Sequence, residues 1–287
     1  MTPDVPRPEI PTRLLVHALV RADGSVDAGE LYEVAGALGM TDQQVRLCVK
    51  RLVAEGAFTH EGRGRKAVLR AVADPGTGAL APDAEFVAYA YRQDRGLEPW
   101  DGRWHLTAFA VPEARRAARD ALRDTLLHLG AAPLQGGLYV AANAIEEYVA
   151  PAAERLGIRS SVTLLTSTDL RVGELEDPVA VAAALWPLDG IAERYASLAA
   201  LAGHWLSRIG ALGPVERLTA AVELAAEFTR AMEPDPLLPP ELLPSPWPGS
   251  RARALTARAW QLLEDGTGEE PRLFGLYADA LRGATTA

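Results

Sequence analysis

The side chains best equipped for chemistry lie within residues 40–72, which read MTDQQVRLCVKRLVAEGAFTHEGRGRKAVLRAV. Thr41 followed three residues later by Gln44 is a capping box, which predicts a helix whose first amide hydrogens are satisfied from Thr41 onward. Val45, Cys48, Val49 and Leu52 recur at i, i+3, i+4 and i+7, the apolar stripe of a helix laid on a core. Gln43, Gln44, Arg46, Lys50 and Arg51 fall away from that stripe. Amides and cations on one exposed surface are the groups that hydrogen-bond base edges and neutralise phosphates in a DNA major groove. Gly56 is placed to end the helix. Residues 57–60 and 67–71 read as two short strands around a turn that carries Arg63, Arg65 and Lys66. A Gly-rich cationic hairpin tip after a polar-faced helix suits a winged helix-turn-helix, with the helix in the groove and the tip on the sugar-phosphate backbone. Thr41, Gln43, Gln44, Arg46, Lys50, Arg51, Arg63, Arg65 and Lys66 are therefore the expected DNA contacts. The plainer alternatives are a solvated basic face on a small three-helix domain, or a winged helix that contacts a protein partner.

The elements that must position this surface lie just upstream. Residues 13–22 carry Leu15, Ala18, Leu19 and Ala22 at helical spacing, with His17 near the apolar side. A lone histidine in such a place is a packed residue far more often than a ligand. Asp27 and Glu30 repeat the capping pattern, which predicts a second helix through Leu38 with Leu31, Val34, Ala35 and Leu38 as its stripe. Gly39 stops it, and a very short turn leads to Thr41, the order of a helix-turn-helix. Asp74-Pro75-Gly76-Thr77-Gly78 is expected to punctuate the end of the wing. Residues 79–99 read as an ordered connector, helical around 85–92, without a core of its own.

A second domain opens at Trp100-Asp101-Gly102-Arg103-Trp104. Residues 104–111 are apolar on both faces, which suits a strand covered on each side. A helix from Pro112 to Leu129 follows, then a hairpin around Gly136-Gly137, a helix capped by Asn143 and ending at Leu156, and a strand over 161–168. The order β-α-β-β-α-β is the ferredoxin-like split motif. From Asp177 the chain reads as helices over 179–185, 190–209, 214–232, 250–263 and 272–281. Between the third and fourth of these runs DPLLPPELLPSPWPG, too rich in proline for a helix interior and read as a semi-rigid strap. Its leucines and Trp247 are expected to pack across those helices. The predicted fold is α+β, with a winged helix over 10–75, a connector over 76–99, a ferredoxin-like and dimerising domain over 100–172, and a helical, effector-binding domain over 173–287.

Composition narrows the classes. The net charge of −9 looks unsuited to DNA until it is divided. Residues 1–75 hold ten basic and ten acidic side chains, but 41–70 hold seven against three, while 173–287 carry nine against sixteen. Salt screens charge beyond about 8 Å, so the local patch rather than the acidic C-terminal third governs phosphate contact. One cysteine excludes a disulfide framework and a thiolate metal site. The polar, proline-rich start lacks the apolar run of a signal peptide, and the apolar run over 179–185 is far too short to span a bilayer; a cytoplasmic protein is expected. No Gly-x-Ser-x-Gly elbow, Walker loop, His-Glu-x-x-His pair or Gly-x-Gly-x-x-Gly fingerprint occurs, and the five histidines are scattered. Neither catalysis nor a metal or cofactor is expected.

WDGRWHLTAFAVPEARRAARDALRDTLLHLG, APLQGGLYVAAN, WPLDGIAERY and DPLLPPELLPSPWPG, after the winged helix, resemble the phenylacetic-acid degradation repressors, the PaaX-like regulators. The likeness runs from about Arg13 to Leu281. It implies a homodimeric transcriptional repressor, a double-stranded operator near genes of aromatic catabolism, and release by an aryl-CoA thioester. The middle domain also resembles the small ferredoxin-like endonuclease of CRISPR adaptation systems, which carries a metal-binding aspartate near the end of its first strand. Ala110 stands at the matching position, which removes the main ligand of a Mg²⁺-dependent nuclease and leaves a dimerisation scaffold. An aryl-CoA effector needs an apolar slot and cations for its phosphates. Trp186, Tyr195, Trp205 and Trp247, with Arg194 or Arg230, are the candidates, against the plainer and favoured reading that these aromatics are core.

Overall fold

A computed structural model describes residues 7–72, 83–264 and 271–286. The helices and strands run, in chain order, α1 (Thr12–Ala18), β1 (Ser25–Asp27), α2 (Ala28–Ala37), α3 (Asp42–Ala54), β2 (Phe58–Glu61), β3 (Val68–Ala71) and α4 (Ala84–Asp94). They continue with β4 (Trp104–Phe109), α5 (Arg116–His128), β5 (Ala132–Gln135), β6 (Leu138–Ala141), α6 (Glu146–Arg155) and β7 (Val162–Ser167). Helices complete the chain: α7 (Pro178–Leu185), α8 (Leu188–Leu206), α9 (Pro214–Met232), α10 (Pro248–Glu264) and α11 (Arg272–Thr286). The Asp74–Gly78 punctuation expected at the end of the wing lies outside the described residues.

The described residues fall into two compact units. The first takes its members from 1–91, 194–232 and 248–287, the second from 92–193 and 233–247. In the first, β1 pairs with β3 and β3 with β2, all antiparallel, giving the sheet order β1-β3-β2. Helix, strand, two helices and a hairpin is the element order expected of a winged helix. Strand β1 is an addition to the sequence reading, and α1 stops at Ala18 rather than Ala22. With Val26 fully buried opposite Leu69, β1 holds the hairpin to the helices. Helix α9 is the axis of this unit, buried from Leu218 through Val222, Leu224, Phe228 and Met232, and α2 packs directly against it. Trp260 stacks on Tyr277 at 4.4 Å, and the Arg272 amide donates to the Val20 carbonyl at 2.8 Å. The N-terminal elements and helices from the far end of the chain thus share one core.

In the second unit the strand order is β5-β6-β4-β7 with every pair antiparallel, the topology of a βαββαβ split motif. Leu122 and Leu126 of α5 and Val149 and Ala153 of α6 cover one face of that sheet, over Tyr139 and Val162. The β5–β6 turn needs glycine. Gly137 has φ 78°, and a Cβ there would fall 2.4 Å from the Phe109 carbonyl oxygen.

One expectation fails here. Asn143 does not cap α6, which begins at Glu146 after Ile145. Its amide donates instead to the Leu237 carbonyl at 2.8 Å, and Gln93 donates to the same oxygen at 2.7 Å. The strap, expected to pack across the helices that follow Asp177, groups with this second unit, where its Pro240–Leu242 turn packs on α7. An extended prolyl segment cannot satisfy its own carbonyls. Side-chain amides at Gln93 and Asn143 do so, and Pro236 packs so closely on Gly130 that a Cβ there would meet its oxygen at 2.6 Å.

Candidate nucleic-acid interface

Thr41 caps α3 as its sequence requires. The Gln44 amide donates to Thr41 Oγ1 at 3.3 Å, and Thr41 N–H donates back to Gln44 Oε1 at 2.7 Å. Val45 and Leu52 are buried, while Cys48 and Val49 are half-buried. Burial lifts the Cys48 thiol above its ordinary value, so it stays protonated. Beneath α3, His17 meets Phe58 edge-on at 5.4 Å, and burial holds its pKa below the usual histidine value.

Gln43, Gln44, Arg46, Lys50 and Arg51 are all exposed. Helical spacing puts Gln43, Arg46 and Lys50 on one face, at i, i+3 and i+7, and Gln44 with Arg51 on the flank beside it. The capping box commits the Gln44 and Thr41 side chains to the helix end, which leaves Gln43 as the freer amide. Leu47 lies between that row and the Gln44–Arg51 flank with 54% of its surface exposed, which sequence reasoning did not single out. An apolar side chain among base-reading groups can contact a thymine methyl. Its signal was present in the sequence as a leucine off the apolar stripe.

The hairpin tip is held against this helix. Gly64–Lys66 form a single 3-10 turn, and the Ala28 amide at the start of α2 donates to the Ala67 carbonyl at 3.0 Å. A Cβ on Gly29 would come within 3.0 Å of the Arg65 oxygen, so α2 and the tip touch backbone to backbone. Arg65 reaches Asp42, in the first turn of α3, at 3.9 Å. Arg63, Arg65 and Lys66 are exposed. Arg70 is occupied by Glu61 at 3.3 Å and Asp23 at 3.9 Å. Among the described residues, Arg46, Lys50, Arg51, Arg63 and Lys66 form no ion pair with a carboxylate. Their charge remains available to phosphate. A cleft of about 200 Å³ between α2, α3 and the hairpin adds Tyr32 and His60 to the side chains beside Arg46.

The candidate effector side chains divide between the two units. Trp186 and Trp247 belong to the second unit, and Tyr195, Trp205, Arg194 and Arg230 to the first. Trp186 is buried, stacks on Trp104 at 6.3 Å and donates to the Gly130 carbonyl. Tyr195 is buried and receives a hydrogen bond from Arg253 at 2.8 Å. Trp205 is buried and donates to Glu223 at 3.0 Å. Arg194 donates to the Arg230 carbonyl, and Arg230 is paired with Glu227. Trp247 is half-buried.

In the middle domain, Ala110 follows β4 and its amide donates to the Ser161 carbonyl. His105 lies between Glu146 at 2.6 Å and Asp101 at 3.5 Å. Asp101 also accepts the Arg103 amide at 2.8 Å, so the Trp-Asp-Gly-Arg-Trp motif is a folded corner. Among the described residues no group of three or more His, Cys, Asp or Glu is arranged to hold a metal ion. No described helix is long and apolar enough to cross a membrane.

Family models match the chain in three consecutive blocks: the PaaX-like protein model over residues 11–73, the PaaX protein central Cas2-like domain over 97–179, and the PaaX-like protein C-terminal domain over 186–269. No curated protein matches the sequence. Among solved structures, the chain is similar to the uncharacterized protein Rv0674 from Mycobacterium tuberculosis, with 23% identity, 89% of this chain and 90% of that chain covered, and a TM-score of 0.47. With three family models covering most of its length in their natural order, the chain belongs to the PaaX-like family of transcriptional regulators.

Proposed function

We propose that the protein is a homodimeric, ligand-responsive repressor that acts in the cytoplasm on an operator of an aromatic-compound catabolic operon. The observation that carries the DNA-binding part is the joint exposure of unpaired cations on α3 and on the hairpin tip tied to it. In this reading α3 lies in the major groove, with Gln43, Arg46 and Lys50 toward base edges and Arg51 on the flank. Arg63, Arg65 and Lys66 hold the sugar-phosphate backbone. The ferredoxin-like domain joins two copies, so the operator is a two-fold repeat with half-sites one or more helical turns apart. Release by an aryl-CoA thioester is supported by the family resemblance alone. The reading assigns the chain no catalytic step, and Ala110 in place of the nuclease aspartate supports that assignment.

A gel shift with the promoter upstream of the protein's own gene, repeated with candidate aryl-CoA thioesters, tests the proposal. A specific complex dissolved by one thioester is the expected result. Binding indifferent to promoter sequence removes the operator. Mg²⁺-dependent cleavage of the probe replaces the repressor with a nuclease.

A further inference from the structure

We propose that a cleft under the turn between α2 and α3 binds a small organic ammonium ion, seated on the carboxylate of Glu223. Glu223 is fully buried in α9. Its Oε2 accepts a hydrogen bond from Trp205 Nε1 at 3.0 Å. Its Oε1 has no hydrogen-bond partner among the described residues. The nearest cation, Arg7 Nε, stands 3.6 Å away, beyond hydrogen-bond length, on a side chain that is 52% exposed and also donates to the Ala37 carbonyl. A buried carboxylate needs several donors to offset its lost hydration, and an acceptor left unmet is costly. Burial lifts the Glu223 carboxyl above its usual range, as expected of a carboxylate short of donors.

The cleft that reaches Glu223 has a volume of about 280 Å³, at the lower edge of sites that take small molecules. Glu9 adds a second carboxylate to its lining, against the single guanidinium of Arg7, so the site favours a cation. Ile10, Leu38 and Met40 give it an apolar side. An ammonium head that takes the place of the exposed Arg7 guanidinium at Glu223 Oε1, with a short alkyl or aryl body against Leu38 and Met40, supplies a direct donor to the unmet acceptor and covers the apolar wall together. A carboxylate ligand would face two like charges. Gln44, the partner of Thr41 in the α3 capping box, stands at the rim, and Leu38, Gly39 and Met40 are the turn that sets α3 against α2. Ligand in the cleft therefore bears on the entry of the helix assigned to DNA. That regulatory consequence rests on the proposed function above; the binding itself does not.

The test is titration of the full-length protein with benzylammonium chloride by calorimetry, with benzyl alcohol and benzoate as size-matched controls. Saturable binding of one benzylammonium per chain is expected, with neither control binding. Glu223→Gln should weaken it at least tenfold, and Met40→Trp, which fills the apolar side, should do the same with the carboxylate intact. Circular dichroism melts of both variants establish that they fold. If Glu223→Gln does not, Met40→Trp decides. Benzoate binding as tightly as benzylammonium, unchanged affinity in the folded variants, or no saturable binding up to about 10 mM would each overturn the site. A promoter gel shift with and without benzylammonium separates the two proposals. Unchanged DNA affinity with ligand bound removes the coupling and leaves the site. Normal DNA affinity with no ligand binding removes the site and leaves the DNA reader.

Discussion

Arg46 and Lys66 carry the same charge on different supports, and the supports separate their expected effects on DNA. Arg46 stands on the exposed face of α3 beside Gln43 and Lys50, a rigid row that can register against base edges. Lys66 stands on a 3-10 turn at the hairpin tip, where backbone phosphate is the accessible partner. Arg46→Ala should cost about 1–3 kcal/mol on a specific operator and much less on random duplex, read as a ratio of gel-shift affinities. Lys66→Ala should weaken both alike and reduce the slope of log affinity against log salt by about 1. Equal losses on both duplexes for Arg46→Ala would place that residue on phosphate. Glu223 gives a prediction independent of DNA. Burial raises its folded pKa above the unfolded value near 4.5, so the ionised form destabilises the fold. The penalty is absent while the carboxyl is protonated in both states, and it grows as pH rises from about 4.5 through the raised value. Glu223→Gln should therefore melt at higher temperature than the parent at pH 7.5, by a stabilisation of about 1 kcal/mol. The gap should close toward pH 4.5, where an undiminished difference would point to a packing effect instead.

Among the elements, those with a full period or an explicit cap were legible in the sequence. Helix α3 follows from Thr41, Gln44 and the stripe of Val45 and Leu52, and α2 from Asp27, whose side chain accepts the Glu30 amide at 2.8 Å. The split motif follows from strands and helices alternating at the right lengths, and the structure returns its expected strand order. Strand β1 was not legible because three residues hold no period; its pairing with β3 is a tertiary fact. Asn143 misled because a side-chain amide before a helix reads as a cap, whereas its partner, the Leu237 carbonyl, lies 94 residues away. The cations and Leu47 of the candidate surface were legible as side chains off the apolar stripe and at the turn, but which cations lack a carboxylate partner, and the placing of Tyr32 and His60, follow only from the assembly of α2, α3 and the hairpin. His17 shows how packing between elements sets a titration. It is held neutral by burial and by Arg13, so its folded pKa lies below the unfolded value near 6.5. Its contribution is fully present above about pH 6.5 and is lost as the pH falls below it, because the unfolded chain then binds the proton more readily. Replacing His17 with Phe should flatten the fall in melting temperature between pH 7 and pH 5, and a slope like the parent's would show that other groups govern it.

At the scale of the whole chain, sequence order and core membership diverge. Residues within 1–91 share a compact unit with residues from 194–232 and 248–287, and the strap over 233–247 belongs to the other unit. Helix α2 buries Leu31, Val34 and Ala35, and it packs on α9, which is itself buried along most of its length. Cutting the chain after the hairpin would therefore strip α2 of its neighbour and expose apolar surface at roughly 25 cal/mol per Å². Small domains near 60 residues have little stability in reserve. A fragment of residues 1–75 should thus be poorly folded, with weak near-ultraviolet dichroism, a broad melt and no specific promoter complex, while the full chain shows all three features of a folded binder. Leu224→Ala, buried in α9 and outside the residues assigned to DNA, should reproduce part of this loss in the intact protein. Truncating a buried leucine costs about 2–5 kcal/mol, and here that cost falls on the core that supports the reading head. A 1–75 fragment that melts sharply and binds the promoter as tightly as the full chain would show that α9 is dispensable to that head, and that the shared core serves regulation rather than folding.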